Sequence, residues 1–362
     1  MRESAGIRDY DWWLLTIALG ICGIGIVEIW SATHTSRLAG MHTSQMYWVG
    51  LGMIAMFLMS RLNYHRILDL APILYLVAVL SLITVLVFGQ ERFGARRWLP
   101  IFGGFLQVSE LVKLIVIVVL ARFFAEVRTE QLGLGDLIKG AAVVALPVGL
   151  IMLQPDLGTA LVLVPLAAVG AFLAGLQWKH AIAVLTLAAL MLPVGYHFLR
   201  PYQKDRVMTF LKPEDDPRGS GYQILQSKIA VGSGGFWGKG LGNGSQNQLG
   251  FVPVRYSDFI LAALAEETGF AGVLAALLLY MFLLLRLVHN AQRANDRAGM
   301  FLIMGVAAVV GFHVLVNVAM VIGFMPVTGI PLPLMSYGGS ATLFVFLALG
   351  LVMNVRIRRF VN

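Results

Sequence analysis

Two scarcities stand out in this 362-residue chain: a single cysteine, and charged side chains at only 13% of positions. With Cys22 alone, no internal disulfide can form and no cysteine-built metal or redox centre is available; its place inside an apolar run reads as a small packing residue. Charge this sparse, against 58% hydrophobic residues and a mean hydropathy of +0.80, excludes a water-soluble globule, which could not clothe its surface. Further absences narrow the function. No Walker-type phosphate loop is present, so nucleotide hydrolysis lacks support. His34, His42, His65, His180, His197, His289 and His313 show no metal-ligand spacing and read as interfacial or packed histidines. Ser336, in SYGGS, lies outside the GxSxG nucleophile pattern and has no recognisable His–Asp partner. The net charge of +8 is scattered through membrane-flanking loops with no nucleic-acid motif, which makes anionic lipid the better partner. No repeat of fixed period and no two similar halves are visible, which weighs against an inverted-repeat transporter.

What is present is apolar length. About ten stretches can serve as transmembrane helices, near residues 12–32, 46–60, 67–88, 106–125, 137–153, 157–175, 179–199, 258–286, 299–324 and 339–356. The first is too long and too weakly basic at its start for a signal peptide. The expected fold is an all-α polytopic membrane protein, a single transmembrane domain over 1–362 with no appended soluble domain. A large extracytoplasmic loop, about residues 200–257, joins the seventh and eighth stretches. A cytoplasmic N-terminus puts fourteen basic residues of short loops and termini inside: Arg2, Arg8, Arg61, Arg66, Arg122, Arg128, Lys139, Lys179, Arg286, Arg293, Arg297, Arg356, Arg358 and Arg359. Only four, Arg37, Arg92, Arg96 and Arg97, are then outside in short loops, so both termini are expected in the cytoplasm. Pro147, Pro165 and Pro193 within apolar stretches are expected to kink them.

Polar punctuation concentrates on the outer side, in FGARRWLPIFGG, LQPDLGTA, MPVTGIPLPLMSYGGSA and the Gly-rich long loop. Non-helical backbone at membrane depth persists only where protein buries it or water reaches it, so these segments are expected to converge on a polar cavity. Asp258 stands where the long loop enters the eighth stretch, with Ser257 as its expected N-cap. It can complement the helix dipole or serve as a functional carboxylate at a membrane mouth. Glu266 and Glu267 lie roughly 12 Å further along a helix, too far to share one proton transfer with Asp258, and read as structural. Glu110 and Lys113, spaced i, i+3, share a helix face and permit an ion pair; Lys113 can alternatively meet a carboxylate of the eighth stretch or a substrate phosphate. Arg96 and Arg97 beside Trp98 suit lipid headgroups or a phosphate. Asp156 is placed to cap the sixth stretch. Lys204, Arg206, Lys228, Lys239 and Arg255 of the long loop can hold pyrophosphate.

Taken together, GARRWL, QVSELVKL, QPDLGTA, GYQILQSKIAVGSGG, GKGLGNGSQNQLGFVPVRYSDFILAALAEETG and GIPLPLMSYGGSA resemble, in order, the SEDS family of shape, elongation, division and sporulation proteins. GSQNQLGFVP and GIPLPLMSYGGSA resemble its elongation members more than its division members. The resemblance implies a peptidoglycan glycosyltransferase in the cytoplasmic (inner) membrane. It would polymerise lipid II into a growing glycan strand at the outer face, beside a class B penicillin-binding protein and the elongation machinery. By similarity the family's essential aspartate falls on Asp258, its acidic and basic helix pair on Glu110 and Lys113, and its QPDLGT aspartate on Asp156. Substrate contacts are expected from Lys113, Glu110, Arg96, Arg97, Asp156, Arg206, Lys239 and Ser336. One departure matters: where many members have Pro-Glu-x-His-Thr-Asp, this chain runs Pro253, Val254, Arg255, Tyr256, Ser257, Asp258, so a Glu and His there cannot be essential to its chemistry.

That chemistry needs a base for the acceptor 4-hydroxyl and positive charge for the departing lipid pyrophosphate. Asp258 suits the first; basic side chains, or a divalent cation such as Mg or Mn, suit the second. The competing readings are a transporter of lipid-linked precursor or solute, with Asp258 and Glu266 as coupling sites, and a noncatalytic cell-wall scaffold.

Overall fold

A computed structural model describes residues 10–92, 95–101, 104–127, 131–198, 201–216 and 219–358. Arg2, Arg8, Arg128 and Arg359, four of the basic residues expected inside, lie outside them. In chain order the described elements are α1 (Trp12–Thr33), α2 (Met41–Arg61), α3 (Tyr64–Asp69), α4 (Ala71–Phe88), β1 (Gln90–Arg92), β2 (Ala95–Ile101), β3 (Gly104–Gln107), α5 (Val108–Glu126), α6 (Leu134–Leu153) and α7 (Leu157–Leu173). They continue with α8 (Trp178–Phe198), α9 (Pro201–Leu211), α10 (Ser220–Ser233), α11 (Ser245–Gln248), α12 (Ile260–Gln292), α13 (Arg297–Val321) and α14 (Gly339–Arg358).

Every predicted apolar stretch coincides with a helix. Among the described residues six are long and apolar enough to cross a membrane by themselves: α1, α4, α6, α12, α13 and α14. The protein is an all-α polytopic membrane protein in its bulk, with α13 and α14 the most enclosed of these six helices. Small residues set the closest approaches. A side chain on Gly52 of α2 would collide with Phe346, and one on Gly350 of α14 with the Met56 backbone, so glycine lets α2 and α14 lie nearly in contact. By contrast, every side chain of α8 from Ile182 to Met191 is exposed, as befits an apolar helix facing lipid rather than protein.

Two segments depart from expectation. The described residues between 90 and 107, a segment read from sequence as an irregular loop, form a three-stranded antiparallel sheet in the order β1-β2-β3, with Trp98 opposite Gln107 and Leu99 opposite Leu106. The strands are short and ARRWLPI lacks clean alternation, so periodicity could not reveal them. The long loop is likewise built around α9, α10 and α11; α10 buries Ile224, Ser227 and Ala230 on one face.

A third feature links that loop to the bundle. Gly269 interrupts α12 with φ 67° and ψ −166°, freeing backbone groups on either side of the break. The segment 235–240 takes them up: Lys239 N donates to Glu266 O (3.0 Å), Gly240 N to Glu267 O (2.9 Å), Phe270 N to Gly235 O (2.9 Å) and Ala271 N to Phe236 O (3.1 Å). A Cβ at Gly269 would strike the Gly238 and Phe236 backbone, so glycine is required there for both conformation and contact. Gly269→Ala should therefore destabilise the protein by more than about 1 kcal/mol. Gly149→Ala, with open space around its Cβ in α6, should change stability by no more than about 1 kcal/mol. Thermal unfolding of both variants in detergent checks the contrast, and equal shifts would contradict this account of the break.

Candidate functional site

Asp258 lies in a turn, not in the helix. The N-cap of α12 is Phe259 and the helix starts at Ile260, so the expectation that Ser257 caps a helix containing Asp258 is corrected. The turn is closed by Ser257 N to Val254 O (3.0 Å) and Phe259 N to Val254 O (3.4 Å), with Val254 at φ 51°, unfavourable for a β-branched residue. Such a backbone persists only when its surroundings fix it. Here the connection between α13 and α14 does so: Tyr337 N donates to Tyr256 O (3.0 Å) and Ser336 Oγ to Ser257 O (2.7 Å). Ser336 Oγ also accepts from Leu332 N at 2.8 Å, bracing its own loop around Leu334, itself at φ 67°. The Asn317 amide adds a bond to Asp258 O at 2.9 Å.

The half-buried Asp258 carboxyl accepts a hydrogen bond from Ser257 Oγ at 3.0 Å. Burial pushes it above the ordinary aspartate value, while the Ser257 bond and the positive charges of Arg97 and Arg206 work against that rise. Gly329 runs past its other oxygen: a Cβ there would lie 3.6 Å from Oδ2.

Asp156 is the second carboxylate of this region, and it caps α7 as expected, accepting from Thr159 N at 3.3 Å. It also accepts from Thr159 Oγ1 (2.9 Å), Gln107 Nε2 (2.8 Å) and Ser109 Oγ (3.3 Å), and faces Arg97 at 3.5 Å. Gly158, in the first turn of α7, packs against Thr328 O. The starts of α5 and α7, strand β2 and the connection before α14 thus meet, as the polar punctuation predicted.

The remaining predicted residues separate. Lys113 is fully buried, bonded to Glu110 (2.9 Å) and His313 Nε2 (3.1 Å) and set over the Phe344 ring at 4.5 Å. The predicted pair with Glu110 is therefore present, and the enclosed ammonium contacts no open surface. Since lysine only donates, His313 accepts on Nε2 and carries its proton on Nδ1, which donates to Pro331 O at 3.2 Å. Lys239 is bound to Glu266 at 2.6 Å, serving the loop that mends α12. Arg96 is exposed and faces Glu91 at 3.7 Å, a surface pair of little energetic weight. Arg255 donates to Ala32 O at 2.9 Å. Sequence reasoning passed over Asn317 and undervalued His313; their i, i+4 spacing on an apolar helix was the available signal. Among the described residues no group of three or more His, Cys, Asp or Glu side chains could hold a metal ion.

Ser336→Ala would strip a buried acceptor from Leu332 N and a donor from Ser257 O. It should cost about 1–3 kcal/mol of stability, whereas Arg96→Gln should stay within about 0.5 kcal/mol; thermal unfolding distinguishes them.

The family model describing a cell cycle protein, FtsW/RodA/SpoVE, matches residues 12–360. The peptidoglycan glycosyltransferase MrdB of Escherichia coli K12 is 37% identical over 348 residues, covering 96% of this chain and 93% of that protein. A solved chain from a peptidoglycan synthase complex that coordinates polymerization and crosslinking superposes with a TM-score of 0.84 at 37% identity, covering 98% of this chain and 99% of its own length. The rod shape determining protein RodA of Thermus thermophilus superposes with a TM-score of 0.73 at 31% identity, covering 98% of each chain.

Proposed function

The chain belongs to the FtsW, RodA and SpoVE family and is RodA-like, and from that footing we propose that it polymerises lipid II at the outer face of the cytoplasmic membrane, with Asp258 as general base. It is a peptidoglycan glycosyltransferase. The observation that carries the assignment of the base is the Asp258 carboxyl itself, half-buried in a braced turn, with Arg97 and Arg206 as the positive charges acting on it.

The reaction follows from that arrangement. Asp258 accepts the proton of the acceptor sugar's 4-hydroxyl as its oxygen attacks the donor anomeric carbon. The bond from that carbon to the lipid pyrophosphate breaks, and the pyrophosphate leaves with the electron pair. Arg97 and Arg206, whose charges act on Asp258, would balance the charge that accumulates on it, the kind of fixed electrostatic support that counts most in a water-poor site. The leaving group departs as an anion and needs little protonation, so a second carboxylic acid is unnecessary. The described residues offer no dedicated metal-binding donor set, and no step is assigned to a divalent cation. Asp156 holds Arg97 in place. A crosslinking class B penicillin-binding protein is the natural partner, because the structural neighbour at 37% identity works in a complex that joins polymerization to crosslinking.

Asp258→Asn keeps the shape and removes the basicity. It should fold normally and reduce glycan synthesis from purified lipid II about 10²- to 10⁴-fold; substantial polymer from the folded variant would rule out the role. The ionised carboxylate is the active form, so activity falls as pH drops through its pKa. Burial places that acid limb above the ordinary aspartate value, and Arg97→Gln or Arg206→Gln should move it higher still by removing a charge that opposes the rise. A limb that does not move in either variant counts against these two arginines as the neighbouring charges. For orientation, Glu214→Cys in the long loop should react with a membrane-impermeant thiol reagent in intact cells and Asn295→Cys should not, both in a Cys22→Ala background. The reverse would place Asp258 on the cytoplasmic side and end the proposal.

A further inference from the structure

Asn317 has no place in the reaction as written, yet it is the side chain most directly attached to the backbone of Asp258. It sits on α13, four residues after His313, and is fully buried. Its Nδ2 donates to two main-chain carbonyls at once, Asp258 O at 2.9 Å and Ile330 O at 2.9 Å. The first belongs to the turn that carries the carboxylate. The second belongs to the connection whose Gly329 runs past the carboxylate's Oδ2. One amide group therefore fixes the spacing between the two walls of the site.

The amide orientation follows from its partners, because carbonyls accept and only the NH₂ end can supply two hydrogens. Asn317 Oδ1 has no hydrogen-bond partner among the described residues. A side chain needed only to fill space would do better as leucine, which leaves no acceptor unpaired. What the amide provides is the double donation.

His313, one turn earlier, makes a parallel contact with Pro331 O while accepting from Lys113. The buried Glu110–Lys113 pair thus reaches the same connection through His313, one residue from the carbonyl that Asn317 holds.

We propose that Asn317 is a positioning residue for glycan polymerisation: by tying Asp258 O to Ile330 O it sets the distance and angle at which the Asp258 carboxylate meets the acceptor hydroxyl. The proposal rests on the assignment of Asp258 as the base. Catalysis of this kind is sensitive to placement, with an error of about 1 Å able to cost about 10²-fold in rate. Substrate binding draws on other residues, so the loss should fall on kcat.

The test compares the full-length wild type with Asn317→Leu, Asn317→Ser and Asp258→Asn. Each is assayed for polymerisation of purified lipid II across the acid limb of the pH profile and for thermal stability. Asn317→Leu should lower kcat about 10- to 100-fold and change KM for lipid II little. It should also displace the acid limb, because the carboxylate moves relative to Arg97 and Arg206. Asn317→Ser keeps one donor and should fall between Asn317→Leu and wild type. A merely structural amide would lower the unfolding temperature and leave kcat and the acid limb of the folded fraction unchanged. That result in either variant overturns the proposal, and Asn317→Ser decides alone should Asn317→Leu fail to fold. Inactive Asp258→Asn beside wild-type-like Asn317 variants removes the positioning role and leaves the base; active Asp258→Asn removes both.

Discussion

Backbone that is not helical must find hydrogen-bond partners when it sits inside a membrane protein, and this requirement shapes the part of the molecule around Asp258. α12 meets it at both ends of its upper segment. At Gly269 the freed groups pair with the backbone of residues 235–240, an arrangement that needs glycine so the chains can approach. Ahead of Ile260 the turn that carries Asp258 cannot satisfy itself, and Ser336, Tyr337 and Asn317 supply the missing bonds. The segment between these two points is held from outside at top and bottom. A braced turn at Asp258 follows from the need to pair backbone.

The same requirement distributes the charges. Glu266 and Glu267 accept from Lys239, Gln246 N, Asn247 N and Asn247 Nδ2, Ser31 and Gly242 N, so the loop that mends α12 also satisfies two carboxylates that burial would otherwise make costly. Lys239 is committed there, and Lys113 to Glu110 and His313. Of the basic residues considered for pyrophosphate, Arg97 and Arg206 are those whose charges act on Asp258. Arg97 stands 3.5 Å from Asp156.

Local rules made the local features legible. Apolar length marked the helices, helix-end chemistry marked Asp156 as a cap, and i, i+3 spacing marked Glu110 with Lys113. Features whose cause is distant in sequence stayed hidden. The start of α12 was misplaced because Ser257 resembles an N-cap, while its hydroxyl bonds Asp258 and its carbonyl is held by Ser336, 79 residues away. Lys239 looked like a phosphate ligand because Glu266 is 27 residues further on. Asn317 drew no notice in the sequence because its partners are 59 and 13 residues distant. The sheet was missed for another reason, since short strands containing proline carry too little pattern.

Two aspartates reach this region, and their hydrogen bonding separates their roles. Asp156 accepts from a backbone amide, two hydroxyls and a glutamine amide, and faces a guanidinium. Each of those donors occupies a lone pair of the carboxylate. Asp258, among the described residues, accepts on its carboxylate from Ser257 alone. Had it stood in the first turn of α12, unpaired amides there would have bonded its oxygens as well. Its place one residue before the cap, in a turn kept open by Ser336 and Asn317, spares it those donors. The irregular backbone around Asp258 is thus the physical reason that its carboxylate meets fewer donors than that of Asp156.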